Sequence, residues 1–180
     1  MNSSSHINIA VTGLAHSIGK NLHTLEIAEK LGQTIALHGH TLMTGSTIGF
    51  SLWSAKGAQS HNGRVVTFSP GKNKYEHEHV FQLPLQYADT YIFTGMGKAG
   101  KNILMTRSAD VVIFGPGSID VVQEFTIALQ EEKPIGILEG PWQTDPCFSE
   151  ILQSSSYSQK DVIHDADPRR LLEQLIAKIL

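Results

Sequence analysis

The sequence predicts an α/β fold in which helices cover both faces of a mostly parallel sheet. Three observations predict it. Short apolar runs rich in β-branched residues recur along the chain and do not alternate with polar residues, the pattern of strands buried on both faces. Segments with apolar residues at helical spacing lie between them. Glycine-containing turns close most of the runs, where a strand has to pass into a helix within a few residues.

Taken in order, residues 7–11 form a first buried strand, ended by Thr12-Gly13. Residues 20–38 carry Leu25, Ala28, Leu31 and Ile35 at helical spacing. A short strand over 41–44 stops at Gly45, and the loop Gly45-Ser46-Thr47-Ile48-Gly49 leads into a helix over 50–59. A third strand, 64–68, ends at Ser69-Pro70-Gly71. Residues 72–88 are the least regular stretch and read as a loop or lid with some helix. A fourth strand over 91–94 precedes a glycine-rich turn, 95–100, and a helix over 101–108. A fifth strand, 111–114, ends at Gly115-Pro116-Gly117 and is followed by a helix over 121–130. The pattern continues with a strand over 135–138, a helix over 148–153 and a strand over 161–164. Asp167 and Pro168 supply the N-cap and first turn of a last helix ending near Ile179. The whole is a Rossmann-like three-layer α/β/α arrangement with about six to seven strands, read as one domain over 1–180.

Composition narrows the function classes. The chain is 41% hydrophobic and 17% charged, an ordinary globular balance. A net charge of -3 provides no field for nucleic acid or an anionic membrane, so neither is expected as a partner. Cys147 is the only cysteine, which excludes a disulfide within the chain and argues against a cysteine-based metal cluster. Residues 1–5 lack the basic and apolar blocks of a signal peptide, and no apolar run approaches the roughly 20 residues that span a bilayer. The expected location is the cytoplasm.

In open sheets of this kind, ligands bind at the carboxyl ends of the strands. The turns that end the first, second, fourth and fifth strands all belong to that edge. Gly95-Met96-Gly97-Lys98-Ala99-Gly100 matches GxGxxG between a strand and a helix, as in dinucleotide sites. It follows the fourth strand, however, and the next strand ends in Phe114-Gly115 where an acidic ribose ligand is needed. The same stretch nearly matches a P-loop, but Asn102 stands where Ser or Thr must hold magnesium. Neither NAD nor another resident cofactor is expected. His77 and His79 would share a face in an extended strand and suggest a metal, yet no further ligands accompany them, so no metal site is assigned. His16 and Ser17 lie in the first strand-end loop, where Ser17 either touches a ligand or, like Asn21, starts the helix. Glu124, about a turn into the helix after Gly117, either acts on a sugar or a water or complements the helix dipole.

Residues 97–138 resemble the LOG-type, or "lysine decarboxylase-like", family of Rossmann-like proteins, which includes cytokinin-activating phosphoribohydrolases and molybdenum-cofactor carriers. The family pattern is an Arg, a Met four residues on, Ser-Ala-Asp, a strand, and PGGxGTxxE. Here stand Lys101, Met105, Ser108-Ala109-Asp110 and then the run from Pro116 to Glu124. Gly13 to Gly19 matches the family's first loop, and Thr44 to Gly49 with Ala55-Lys56-Gly57-Ala58 matches its GGxxGLMxxxxxGA. The resemblance implies a nucleotide or other phosphorylated small molecule as ligand and a homodimer or higher homo-oligomer. It implies ligand contacts from Gly13, Ser17, Gly45, Ser46, Gly49, Gly95 and Gly97, and from Asn102, Gly115, Gly117, Ser118 and Asp120. It implies Glu124 and Lys101 as a catalytic pair if the chain is an N-glycosidic hydrolase releasing the base from a nucleoside 5′-monophosphate. The departures fall on the chemistry. Ser118, Asp120 and Val121 rewrite the phosphate loop, and Lys101 replaces the bidentate Arg. Asp120 either sets a negative charge near the phosphate or caps a helix beginning at Val121. The favoured expectation is therefore binding or carriage of a phosphorylated ligand, with phosphoribohydrolase activity as the alternative.

Overall fold

A computed structural model describes residues 6–14, 22–140, 142, 145–155 and 162–179. The chain alternates β1 (Asn8–Thr12), α1 (Leu22–Leu37), β2 (Thr41–Gly45), α2 (Phe50–Gln59) and β3 (Arg64–Ser69). After β3 a strap containing a π-helical turn (Glu76–Val80) leads to β4 (Thr90–Phe93), α3 (Gly97–Ser108) and β5 (Val111–Phe114). The remainder is α4 (Ile119–Gln130), β6 (Ile135–Leu138), α5 (Asp145–Ser154), β7 (Val162–Asp165) and α6 (Pro168–Ile179). The seven strands form one sheet in the order β4-β3-β2-β1-β5-β6-β7, with every neighbouring pair parallel. This is the predicted Rossmann-like α/β/α fold.

Strand alternation divides the core into two layers. Ile9, Val11, Leu42 and Val65 face a cluster with Ala28, Leu31 and Ile35 of α1, Phe50 of α2 and Leu171 of α6. Ala10, Met43, Val112 and Phe114 face the opposite cluster with Met105 of α3, Phe125 of α4 and Phe148 of α5. Both faces being covered is why the strands read as unbroken apolar runs. The rings of Phe114, Phe125 and Phe148 pack with centroids 5.3, 5.7 and 4.2 Å apart and pin α4 beneath the end of β5.

The order of the strands positions the site. Successive crossovers carry the chain outward from β1 to β4, and α3 returns it to β5 on the other side of β1. The connections therefore diverge at the β1–β5 pair, where Thr12 lies opposite Phe114. A crevice opens at such a switch point.

Three helices begin earlier than the sequence suggests, α5 by three residues, at Asp145. Gly97 adopts φ +66° and starts α3 four residues before Lys101, which puts Gly100 inside the helix. Ser118 takes the extended N-cap position of α4, so Ile119 and Asp120 are already helical. Asp120 is thus not the cap. Asp167 does cap α6, its Oδ1 accepting from the amides of Arg169 and Arg170 at 2.9 and 3.0 Å. His77 and His79 do not share an extended face, because the π-helical turn directs His77 inward and leaves His79 exposed against Tyr75.

Candidate functional site

The crevice at the carboxyl ends of β1, β2, β3 and β5 is a cavity of about 340 Å³. Its floor is an ion pair withdrawn from water. Lys101, at the inward face of α3, is 7% exposed, and Glu124, in the second turn of α4, is 3% exposed. Lys101 Nζ lies 3.8 Å from Glu124 Oε1. Thr12 Oγ1, at the end of β1, donates a hydrogen bond to Glu124 Oε2. A Cβ on Gly45 would stand 2.3 Å from Lys101 Nζ, so the missing side chain at the end of β2 makes room for the ammonium. Burial pulls the Lys101 ammonium below its ordinary range, opposed mainly by the Glu124 charge. Burial likewise pushes the Glu124 carboxyl up, opposed by Lys101 and the Thr12 bond. Burial thus works against the charge on both groups, and their contact with one another works for it.

The walls are helix starts. Ser51 in the first turn of α2, Lys98 in that of α3, and Ser118 and Asp120 at that of α4 all line the cavity. None of the three helices has a side-chain hydrogen bond at its N-cap. The positive ends of their dipoles therefore converge on one space, although the first amides of α2 and α3 are already bonded, Phe50 N to Leu14 O and Gly97 N to Pro70 O. Three loops are tied together around it: Leu14 N donates to Pro116 O, Phe50 N to Leu14 O, and Gly115 N to Thr12 O. Asn102, 1% exposed, donates from Nδ2 to Gln123 Oε1 at 3.0 Å and fastens α3 to α4. Asp120 lines the cavity, and its charge favours the ammonium of Lys101.

The structure gathers Gly13, Gly45, Ser46, Lys101 and Asn102 with Ser118, Asp120 and Glu124 around this space. Gly49 stands one residue behind the wall as the N-cap of α2. Gly115 and Gly117 lie beneath it, where added Cβ atoms would meet the Phe50 ring at 2.7 Å and the Val121 side chain at 2.4 Å. Gly95 and Gly97 are not among the lining residues, and their amides donate to Gly71 O and Pro70 O, each at 3.1 Å. Ser17 lies outside the described residues, as do His16 and Asn21. The sequence reading missed Thr12, Ser51, Lys98 and the strap residues Phe81, Gln82 and Leu83 as lining groups. Lys98 was in view inside the glycine motif; nothing in the sequence signalled the others beyond the lid-like character of 72–88. Among the described residues, no three His, Cys, Asp or Glu side chains are grouped to hold a metal ion. No described helix is long and apolar enough to cross a membrane.

The model of the SLOG cluster4 family matches residues 6–172. An uncharacterized protein of Archaeoglobus fulgidus is 36% identical over 118 residues, 66% of this chain and 72% of that one. Among solved structures, the molybdenum cofactor binding protein from the phototrophic bacterium Rippkaea orientalis superposes with a TM-score of 0.81 at 26% identity, covering 99% and 100% of the two chains. The molybdenum cofactor carrier protein from Chlamydomonas reinhardtii gives a TM-score of 0.75 at 26% identity over 96% and 99%.

Proposed function

The chain belongs to the SLOG cluster4 family, and from that premise we propose that its cavity binds and carries a phosphorylated, nucleotide- or pterin-like small molecule. One observation carries the reading: three helix N-termini without side-chain caps, together with Lys98 and Lys101, surround a single space of about 340 Å³. Helix N-termini are an established way to hold an anion. The volume falls within the roughly 300–1,000 Å³ usual for small-molecule sites. Two solved structures of similar fold, named a molybdenum cofactor binding protein and a molybdenum cofactor carrier protein, support it. Asp120 on the same wall moderates the attraction, which suits a ligand that must later be released. Both Glu124 oxygens already face partners, Thr12 and Lys101, which favours binding over turnover.

The test is a thermal-shift titration with AMP, GMP and dihydroneopterin monophosphate. A ligand present at 100 times its Kd stabilises by about 2.7 kcal/mol. For a chain of this size that raises Tm by roughly 5–10 °C. A folded protein that none of these compounds stabilises would count against the proposal. The Lys101–Glu124 pair favours one second reading, hydrolysis of the N-glycosidic bond, with Glu124 positioning water and Lys101 the ribose. Free adenine released from AMP, and lost in Glu124→Gln, would replace carriage with catalysis.

A further inference from the structure

Residues 70–89 leave the end of β3, fold over the cavity and return as β4. Phe81, Gln82 and Leu83 line the space. Because the sheet runs β3-β2-β1-β5, this strap walls the cavity at the opposite end from the start of α4. The cavity is therefore unlike at its two ends. Ser118, Asp120 and the Lys101–Glu124 pair stand at one, and Pro70, Phe81 and Leu83 at the other, with Lys98 at the start of α3 beside Pro70.

The strap is held in one shape. His77 is fully buried, and its ring has partners on both nitrogens. Pro84 O only accepts, so Nε2–H donates to it at 3.1 Å. Nδ1 then accepts from Ser69 Oγ at 2.8 Å, and Ser69 Oγ in turn accepts from Gly71 N at 3.1 Å. The His77 ring sits edge-on to Tyr91 and Phe93 of β4 at 5.5 and 5.9 Å. The π-helical turn around it closes with Phe81 N donating to Glu76 O at 2.9 Å. Leu83 N donates to His77 O at 3.0 Å. Between these two bonds Gln82 is forced to φ +53°. A non-glycine residue rarely adopts that conformation, and does so where its surroundings impose it. Glycine would relieve the strain; glutamine instead keeps an exposed polar side chain among the lining residues.

We infer that the strap is the specificity-determining wall of this site, selecting phosphorylated ligands that carry a flat heteroaromatic ring. Phe81 and Leu83 cover the ring, the Gln82 amide bonds its polar edge, and His77 is the positioning residue that fixes both. The inference rests on the binding reading above and goes beyond it by naming what the end remote from α4 accepts.

The experiment compares ribose 5-phosphate, which has no ring base, with AMP, GMP and dihydroneopterin monophosphate by calorimetric titration. In the unaltered protein at least one ring-bearing phosphate binds about tenfold tighter than ribose 5-phosphate, the low end of what stacking supplies. Gln82→Gly removes most of that advantage, read as the ratio of ring-bearing to ribose 5-phosphate affinity. It also raises Tm by roughly 2–4 °C, because the strain is relieved. Gln82→Asn, which tolerates the left-handed conformation and keeps an amide, retains part of the advantage. His77→Phe loses it while still unfolding cooperatively, and His77→Gln, able to donate to Pro84 O, recovers part. A ring-bearing advantage that survives both Gln82→Gly and His77→Phe overturns the inference, as does equal affinity for all four compounds in the unaltered protein; in either case phosphate binding stands. If none of the four binds, the binding reading falls and this inference falls with it.

Discussion

Two glycine turns, one after β4 and one after β5, use the same residue type for opposite ends. In the Gly95–Gly97 turn both glycines take positive φ, +65° and +66°, and their amides bond the carbonyls of Gly71 and Pro70. That turn closes on the strap. In the Gly115–Gly117 turn neither glycine has positive φ, and their lack of a side chain admits Phe50 and Val121 underneath. Only the start of α4 there, at Ser118 and Asp120, is left open to the cavity. A glycine motif thus marks backbone that must bend or pack closely. Whether its amides are free for a ligand depends on what else reaches them.

The largest expected effect lies on the β5 side. Lys101→Met leaves Glu124 buried without its counter-charge and should cost about 3–5 kcal/mol in urea unfolding. The double variant Lys101→Met/Glu124→Gln should recover that loss. The pH dependence has a definite sign. Glu124 has a folded value above its ordinary 4.5, so its contribution is present below 4.5 and lost as pH rises. Lys101 has a folded value below its ordinary 10.5, so its contribution is present above 10.5 and lost as pH falls. The double variant should therefore exceed the unaltered protein in stability most clearly in the middle of that window, and least toward its ends. A double variant no more stable than Lys101→Met alone would show that the pair does not act as a unit.

The two turns themselves should differ next. Gly115→Ala drives a methyl into the Phe50 ring and should cost about 1–3 kcal/mol through overpacking. Gly97→Ala meets nothing within 4 Å and should cost only the conformational strain, about 1 kcal/mol. Equal losses would mean that packing does not separate the turns. The smallest effect belongs to the strap surface. The exposed Lys72 pairs with a partly buried Glu76 at 2.8 Å, and Lys72→Ala should leave urea unfolding unchanged within error.

The sequence conveyed the fold better than the site. Strands such as Val111–Phe114 are fully buried, so hydrophobic patterning alone marks them. The helix starts were harder, because Gly97 and Ser118 begin helices through backbone angles that composition does not record. Lys101 and Glu124 could be picked out by family pattern, but their contact depends on α3 returning across the sheet to lie beside α4. Thr12 was seen only as the end of a strand, since its bond to Glu124 joins residues far apart in the chain. The irregularity of the strap is legible in the sequence, yet nothing marks His77, set among exposed charges, as buried.

An amide-resolved NMR titration with AMP at low ionic strength tests the central claim most directly. The amides of Ser51, Lys98 and Asp120, which begin three different helices, should shift together with one saturation curve, while those of Gly95 and Gly97 move little. Saturable shifts centred on Gly95 and Gly97, with the three helix starts unmoved, would contradict the account.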